Sequence, residues 1–138
     1  MPIQMKVFPL FLAVPMIALA ACSKEPGEGG KAEIRGVVYQ QEYNKNTGQP
    51  VGDPVPVGEH RVYIVYGDGE YYDDDVRTGP DGKYRFPWLR KGTYKVYTFS
   101  ECRPGTCDGD QYAIYRTVEI GGRKDVVEVP LITVEWWH

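Results

Sequence analysis

Five acidic side chains crowd into eight residues of the chain: Asp68, Glu70, Asp73, Asp74 and Asp75, with Asp81 a few residues on. Carboxylates at that density could hold calcium, which takes six to eight oxygen ligands and often draws several from one loop. Asp68, Glu70, Asp73 and Asp75 are the candidate metal ligands. Two features weigh against the site. If the stretch is extended, alternation sends Asp73 and Asp75 to one face and Asp74 to the other. The order Asp-Gly-Glu-Tyr-Tyr-Asp-Asp-Asp also departs from the EF-hand loop. A solvated edge strand, whose charges discourage edge-to-edge pairing, is the favoured reading.

Two adjacent aromatic pairs, Tyr71-Tyr72 and Trp136-Trp137, form a second candidate. In a strand one member of each pair must face away from the core. Exposed rings can stack on sugars or seat a protein partner. Covalent catalysis has little to work with. Beyond residue 21 there are two serines, Ser23 and Ser100, and two histidines, His60 and His138. No Gly-x-Ser-x-Gly or His-Glu-x-x-His motif is present, and nothing local brings Ser100 to His60. A non-catalytic protein is expected, with calcium as the one candidate cofactor.

The positioning elements begin with a leader. MPIQMKVFPLFLAVPMIALAAC carries one charge, Lys6, then an apolar run broken by Pro9 and Pro15, and is too short for a confident membrane span. Leu19-Ala20-Ala21-Cys22 resembles the lipobox of bacterial lipoproteins. That resemblance implies cleavage before Cys22, lipidation of Cys22, and residues 1–21 as a signal peptide. Residues 22–31, with SKEPGEGGK after the cysteine, read as a flexible tether reaching about 15–18 Å. Ser23 is compatible with outer-membrane sorting. Lys24-Glu25 weakly resembles the surface-export tags of Bacteroidetes lipoproteins. The expected place is therefore the bacterial cell envelope, as an outer-membrane lipoprotein facing either the periplasm or the cell surface.

Loss of residues 1–21 removes Lys6 and no acid, lowering the basic count from 16 to 15 against 19 acids, net −4. A surface so charged argues against nucleic acid, whose phosphates need a basic face. Cys102 and Cys107, separated by a Pro-Gly turn, read as a local disulfide of an oxidising compartment. Zinc would need two further ligands that the neighbourhood lacks. So small a ring would shape its loop more than hold the fold.

Residues 32–138 read as one all-β domain. Seven strands are expected from alternation and turn residues. They are Ala32–Gln40, His60–Gly67, the more polar strand or strand edge Glu70–Thr78, Lys83–Leu89, Thr93–Ser100, Tyr112–Ile120, and a closing strand within KDVVEVPLITVEWW. Residues 42–59 read as a long connection. His60–Gly67, apolar on both faces, belongs at the centre of a sheet, and Pro87 implies that Lys83–Leu89 is short or lies at an edge. Short strands between Gly-rich turns predict an antiparallel sandwich.

Gly36 and Val38, then Asp81-Gly82, Tyr84 and Phe86, then Leu89, Gly92, Tyr94 and Val96 reproduce a spaced pattern. In this the chain resembles the carboxypeptidase regulatory-like domains, transthyretin-like or Cna-B-like sandwiches. The resemblance covers most of residues 33–134 and implies an Ig-like/transthyretin-like β-sandwich with a mostly non-catalytic role. It implies a lipid-anchored envelope module for protein interaction or structural support, with an extracellular carbohydrate- or calcium-binding module as the alternative. The partners implied are the membrane, through Cys22, and an envelope protein or glycan.

Overall fold

One strand organises the molecule. In the computed structural model, which describes Pro9 and residues 25–138, β1 runs from Glu28 to Tyr43 and pairs along both of its sides. Its Ala32, Ile34, Gly36 and Val38 are buried while Glu33, Arg35 and Val37 are not, the alternation of a strand with one core face. On one side its first half pairs antiparallel with β5 (Lys83–Leu89) and its second half with β2 (Pro50–Pro56). On the other side β8 (Val126–Glu128) and β9 (Ile132–Trp137) pair with it in parallel.

The second sheet has the order β4-β3-β6-β7, formed by Asp74–Arg77, Arg61–Tyr66, Gly92–Glu101 and Gln111–Ile120, all antiparallel. Val62, Ile64, Tyr94, Val96 and Ile120 face Ile34, Phe86, Ile132 and Val134 of the first sheet, each at most 2% exposed. Burying each such side chain contributes about 1.5–3 kcal/mol. The sheets are joined along one side by side chains. Ser100 Oγ accepts the Glu135 N–H (2.8 Å) and Glu101 Oε2 accepts the Trp137 N–H (2.8 Å), satisfying donors on the free side of β9.

The all-β sandwich expected from sequence is present, with nine strands in place of seven. β2 lies inside the presumed connection; all its residues are exposed, so it carries no apolar period to read. A bulge between Gln40 and Glu42 shifts its register, and the buried Gln41 amide donates to Val51 O (3.4 Å) and Gly52 O (3.1 Å) there. The closing strand is two strands because Pro130 interrupts it. Both run parallel to β1, so the sandwich is mixed and not wholly antiparallel. β3 is internal and β5 lies at an edge, as read.

Boundaries move: β1 runs on to Tyr43, and β4 is confined to Asp74–Arg77, so residues 70–73 are loop and not strand. The Gly79–Gly82 turn, with Gly82 at φ +75°, carries the chain from one sheet to the other; β4 and β5 do not pair as a hairpin. At the start, β1 begins at Glu28, so residues 28–31 are strand and not tether. Tyr94 explains this: its hydroxyl accepts the Gly27 N–H (2.8 Å) and donates to Arg90 O (2.6 Å), while the Arg90 N–H donates to Gly27 O (2.9 Å). The signal-peptide and lipidation expectations, Cys22 included, fall outside the described residues.

Candidate functional site

Cross-strand register, rather than any local motif, builds the most distinctive surface. In the β4-β3-β6-β7 sheet, residues directly opposite one another share a face. Asp75 lies opposite Tyr63, Tyr63 opposite Tyr97, and Tyr97 opposite Tyr115. Since Val62, Ile64 and Val96 point to the core, this row points to solvent. Tyr63 and Tyr97 stack at 4.9–5.0 Å from their neighbours: Tyr63–Tyr97 at 5.0 Å and 13°, Tyr97–Tyr115 at 4.9 Å and 33°. Phe99 stands edge-on to both central rings at 5.8 Å.

Tyr72 extends the row by one ring, 4.9 Å from Tyr63. It arrives on the loop between β3 and β4, which folds back over the sheet and buries Val65 on the outer face to 3% exposure. Asp73 fixes that loop by accepting the Tyr66 N–H at 2.7 Å. The result is a band of five aromatic rings. Its central members, Tyr63 and Tyr97, are half-buried by neighbours, whereas Tyr72 and Tyr115 at the ends are 51% and 57% exposed. The inner rings stand against one another and present edges and hydroxyls; the end rings also offer a face. Burial, then the Tyr115, Tyr63 and Tyr72 phenols, push the Tyr97 phenol pKa upward, so it remains a hydrogen-bond donor.

A shallow groove adjoins the band, lined by Asp68, Glu70, Lys95, Thr117, Tyr97 and Tyr115. The acidic candidates therefore divide. Asp68 and Glu70 stand at this groove, Asp73 is committed to the Tyr66 amide, and Asp75 pairs with Arg61 at 3.1 Å. Among the described residues no three His, Cys, Asp or Glu side chains gather as a metal centre.

The aromatic candidates divide too. Tyr72 joins the band and Tyr71, on the same loop, is 81% exposed. Trp136 and Trp137 belong to the other sheet. Trp137 stacks on Tyr43 at 4.6 Å with the Arg103 guanidinium 6.0 Å from its ring, and Trp136 lies 4.3 Å from the His138 ring. Arg103 sits in the loop closed by the Cys102–Cys107 disulfide (Cα–Cα 6.4 Å) and donates to Lys45 O and Asn46 O. Ser100 spends its hydroxyl on Glu101 O and the Glu135 amide, while His60 Nε2 meets Phe99 O at 3.1 Å.

Tyr63, Tyr97, Phe99 and Tyr115 were not singled out from sequence as site residues. Alternation does place Tyr63, Tyr97 and Phe99 on the face opposite the core. That they form one band depends on which strands pair and in what register.

Comparisons with known proteins add little to this geometry. No family model matches the chain, and no curated protein matches it. A crystal structure from Pseudomonas aeruginosa, described as that of a "putative carbohydrate binding protein", is similar over 80% of this chain and 91% of its own. It is 12% identical with a TM-score of 0.47, a likeness that carries no argument about a ligand here.

Proposed function

We propose that this chain is a lipid-anchored, non-catalytic module of the bacterial cell envelope, and that its tyrosine band is the contact surface for an envelope protein. The observation that carries the reading is the exposed row Tyr72-Tyr63-Tyr97-Tyr115 with Phe99 beside it. Tyrosine supplies large, rigid, amphipathic contact area at low entropic cost, and it is enriched where partners bind. Charged groups at the margin, Asp75 with Arg61 and Asp68 with Glu70, suit the polar rim of such a patch. Leu19-Ala20-Ala21-Cys22 supports the anchor, the Cys102–Cys107 pair supports an oxidising compartment, and the carboxypeptidase regulatory-like pattern supports a non-catalytic role.

Photo-crosslinkers at Tyr72 and Tyr115 in the native host, followed by mass spectrometry, test the reading. One envelope protein is expected at both positions, with Tyr97→Ala weakening its binding at least about 30-fold, the scale of a central hot spot. A partner captured equally well by the Tyr97→Ala chain would refute the band as the interface.

A carbohydrate reading is favoured by one observation, the groove in which Asp68, Glu70, Lys95 and Thr117 adjoin the free face of Tyr115. Hydrogen-bonding side chains around an aromatic face suit a sugar ring. A bound glycan at a hundred times its Kd would stabilise the fold by about 2.7 kcal/mol. A glycan array read by thermal shift, with no oligosaccharide raising Tm, excludes this reading.

A further inference from the structure

At the end of the sandwich where the chain enters the fold, the surface changes character. Lys31 of β1, Arg90 and Lys91 of the β5–β6 turn, and Arg123 of the β7–β8 connection line one groove with Gly29, Gly30 and Leu89, and no acidic residue lines it. Five cations elsewhere are matched, Arg35 with Glu128, Arg61 with Asp75, Arg77 with Glu59, Lys83 with Asp81 and Arg85 with Glu33, whereas Lys45, Lys95, Arg103, Arg116 and Lys124 form no ion pair among the described residues. None of the four in the groove forms an ion pair among the described residues. What sets this groove apart in a chain of net negative charge is the convergence of four cations on one spot with no acidic lining residue.

Trp88 directly precedes Leu89, which lines the groove. Phe86 and Leu89 both face the core, so the strand bulges between them and turns Trp88 outward. Trp88 is 66% exposed and holds φ at +59°, a left-handed conformation that a bulky residue rarely adopts. Strain held at a side chain that buries so little points to a role outside the fold.

Chain geometry says what this end faces. Gly27 is tied to Tyr94 and Arg90, and Pro26 packs against Gly92, so the entering segment is held at this end. Cys22 is only three residues before Glu25, a covalent reach of about 10 Å at most. We propose that this end docks on an anionic bilayer, with Lys31, Arg90, Lys91 and Arg123 meeting lipid phosphates and Trp88 entering the headgroup interface. Tryptophan favours that interface and clustered Lys and Arg favour anionic headgroups.

Asp68 and Glu70 lie at the same end, on the β3–β4 loop, whose Gly67 N–H donates to Thr93 O of β6 within the second sheet. The proposal rests on the reading that Cys22 carries the lipid, because the anchor is what brings this end to the membrane.

The test uses residues 22–138 with Cys22→Ser, a chain that keeps all nine strands and has no lipid. It is mixed with vesicles of phosphatidylglycerol and phosphatidylcholine, or of phosphatidylcholine alone. Binding to the anionic vesicles only is expected, lost at high salt, with blue-shifted tryptophan emission that Trp88→Phe abolishes although Trp136 and Trp137 remain. Each cation is worth roughly fivefold in partitioning, so Lys91→Gln with Arg123→Gln should lower it about 25-fold. Both side chains are exposed, so this variant keeps its fold. Equal partitioning onto the two vesicle types, no binding to either, or parental binding by the double variant would overturn the proposal. The anchor is checked apart from this, by the intact mass of the native chain: an unmodified Cys22 refutes the lipid reading and leaves the vesicle result standing on its own.

Discussion

Removing a single oxygen from two buried tyrosines should have opposite consequences, and the contrast tests the account of how β1 is held. Tyr94 is fully buried, and its hydroxyl both accepts the Gly27 N–H at 2.8 Å and donates to Arg90 O at 2.6 Å. Tyr94→Phe leaves a buried amide and a half-buried carbonyl without that partner. An unsatisfied buried group costs about 1–3 kcal/mol, and the Arg90 N–H to Gly27 O bond survives, so about 2 kcal/mol of destabilisation is expected. For a domain of this size that lowers Tm by on the order of 10 °C. Tyr84 is 5% exposed, and its hydroxyl has no hydrogen-bond partner among the described residues; burial pushes its pKa well up. Tyr84→Phe removes a polar atom that gains nothing from the fold, so it should leave stability unchanged or raise it by up to about 1 kcal/mol. Thermal melts of the two variants give the sign, and amide exchange at residues 27–31 gives the location. Exchange there should quicken in Tyr94→Phe alone. Equal melting shifts in the two variants, or unchanged exchange at Gly27 in Tyr94→Phe, would refute the argument.

His60 should make stability depend on pH near neutrality. Burial lowers its pKa from about 6.5, with the Phe99 carbonyl partly opposing the shift. The folded ring therefore binds its proton less readily than the unfolded one, and the unfolded chain takes up more protons as pH falls from about 6.5 towards the folded value. Wild type should lose stability relative to His60→Gln through that interval and stay parallel to it above; parallel curves throughout would show that the ring is not held neutral. Gly36→Ala is expected to destabilise by about 1–3 kcal/mol, because its Cβ would lie 2.6 Å from Tyr84 Cζ and 3.0 Å from Cε1. Urea unfolding measures this, and a variant as stable as wild type would mean the Tyr84 ring moves aside freely.

Much of the fold follows from alternation and punctuation carried in the chain itself. Ala32, Ile34, Gly36 and Val38, then Val62 and Ile64, then Tyr94 and Val96, fall on every second residue, so their strands and core faces could be read directly. Turn residues bound Lys83–Leu89 at its full length, and Pro87, which cannot donate to a ladder, fits the edge place it takes. β2 was invisible for the same physical reason: a wholly exposed strand has no apolar period, and its pairing is specified by β1 and by the Gln41 amide. The parallel placement of β8 and β9 was equally hidden, since direction depends on the end of the sandwich at which the chain re-enters the first sheet.

The candidate surfaces show where sequence stops. Residue order alone determined that Tyr63, Tyr97 and Phe99 face away from the core, that Asp68 to Asp75 form an acidic run, and that Cys102 lies within reach of Cys107. Only tertiary structure decided that Tyr63, Tyr97 and Tyr115, from three strands, stand in one row, because cross-strand register is set by pairing. It also dispersed what sequence had grouped: alternation and a salt bridge drew Asp75 away to Arg61, and the two aromatic pairs went to different sheets. The convergence of Lys31, Arg90, Lys91 and Arg123, drawn from up to 92 residues apart in the chain, arises because the ends of β1, β5 and β7 meet at one end of the sandwich. Side-chain facing is a local property with a period of two; which faces become neighbours is a property of the whole sheet.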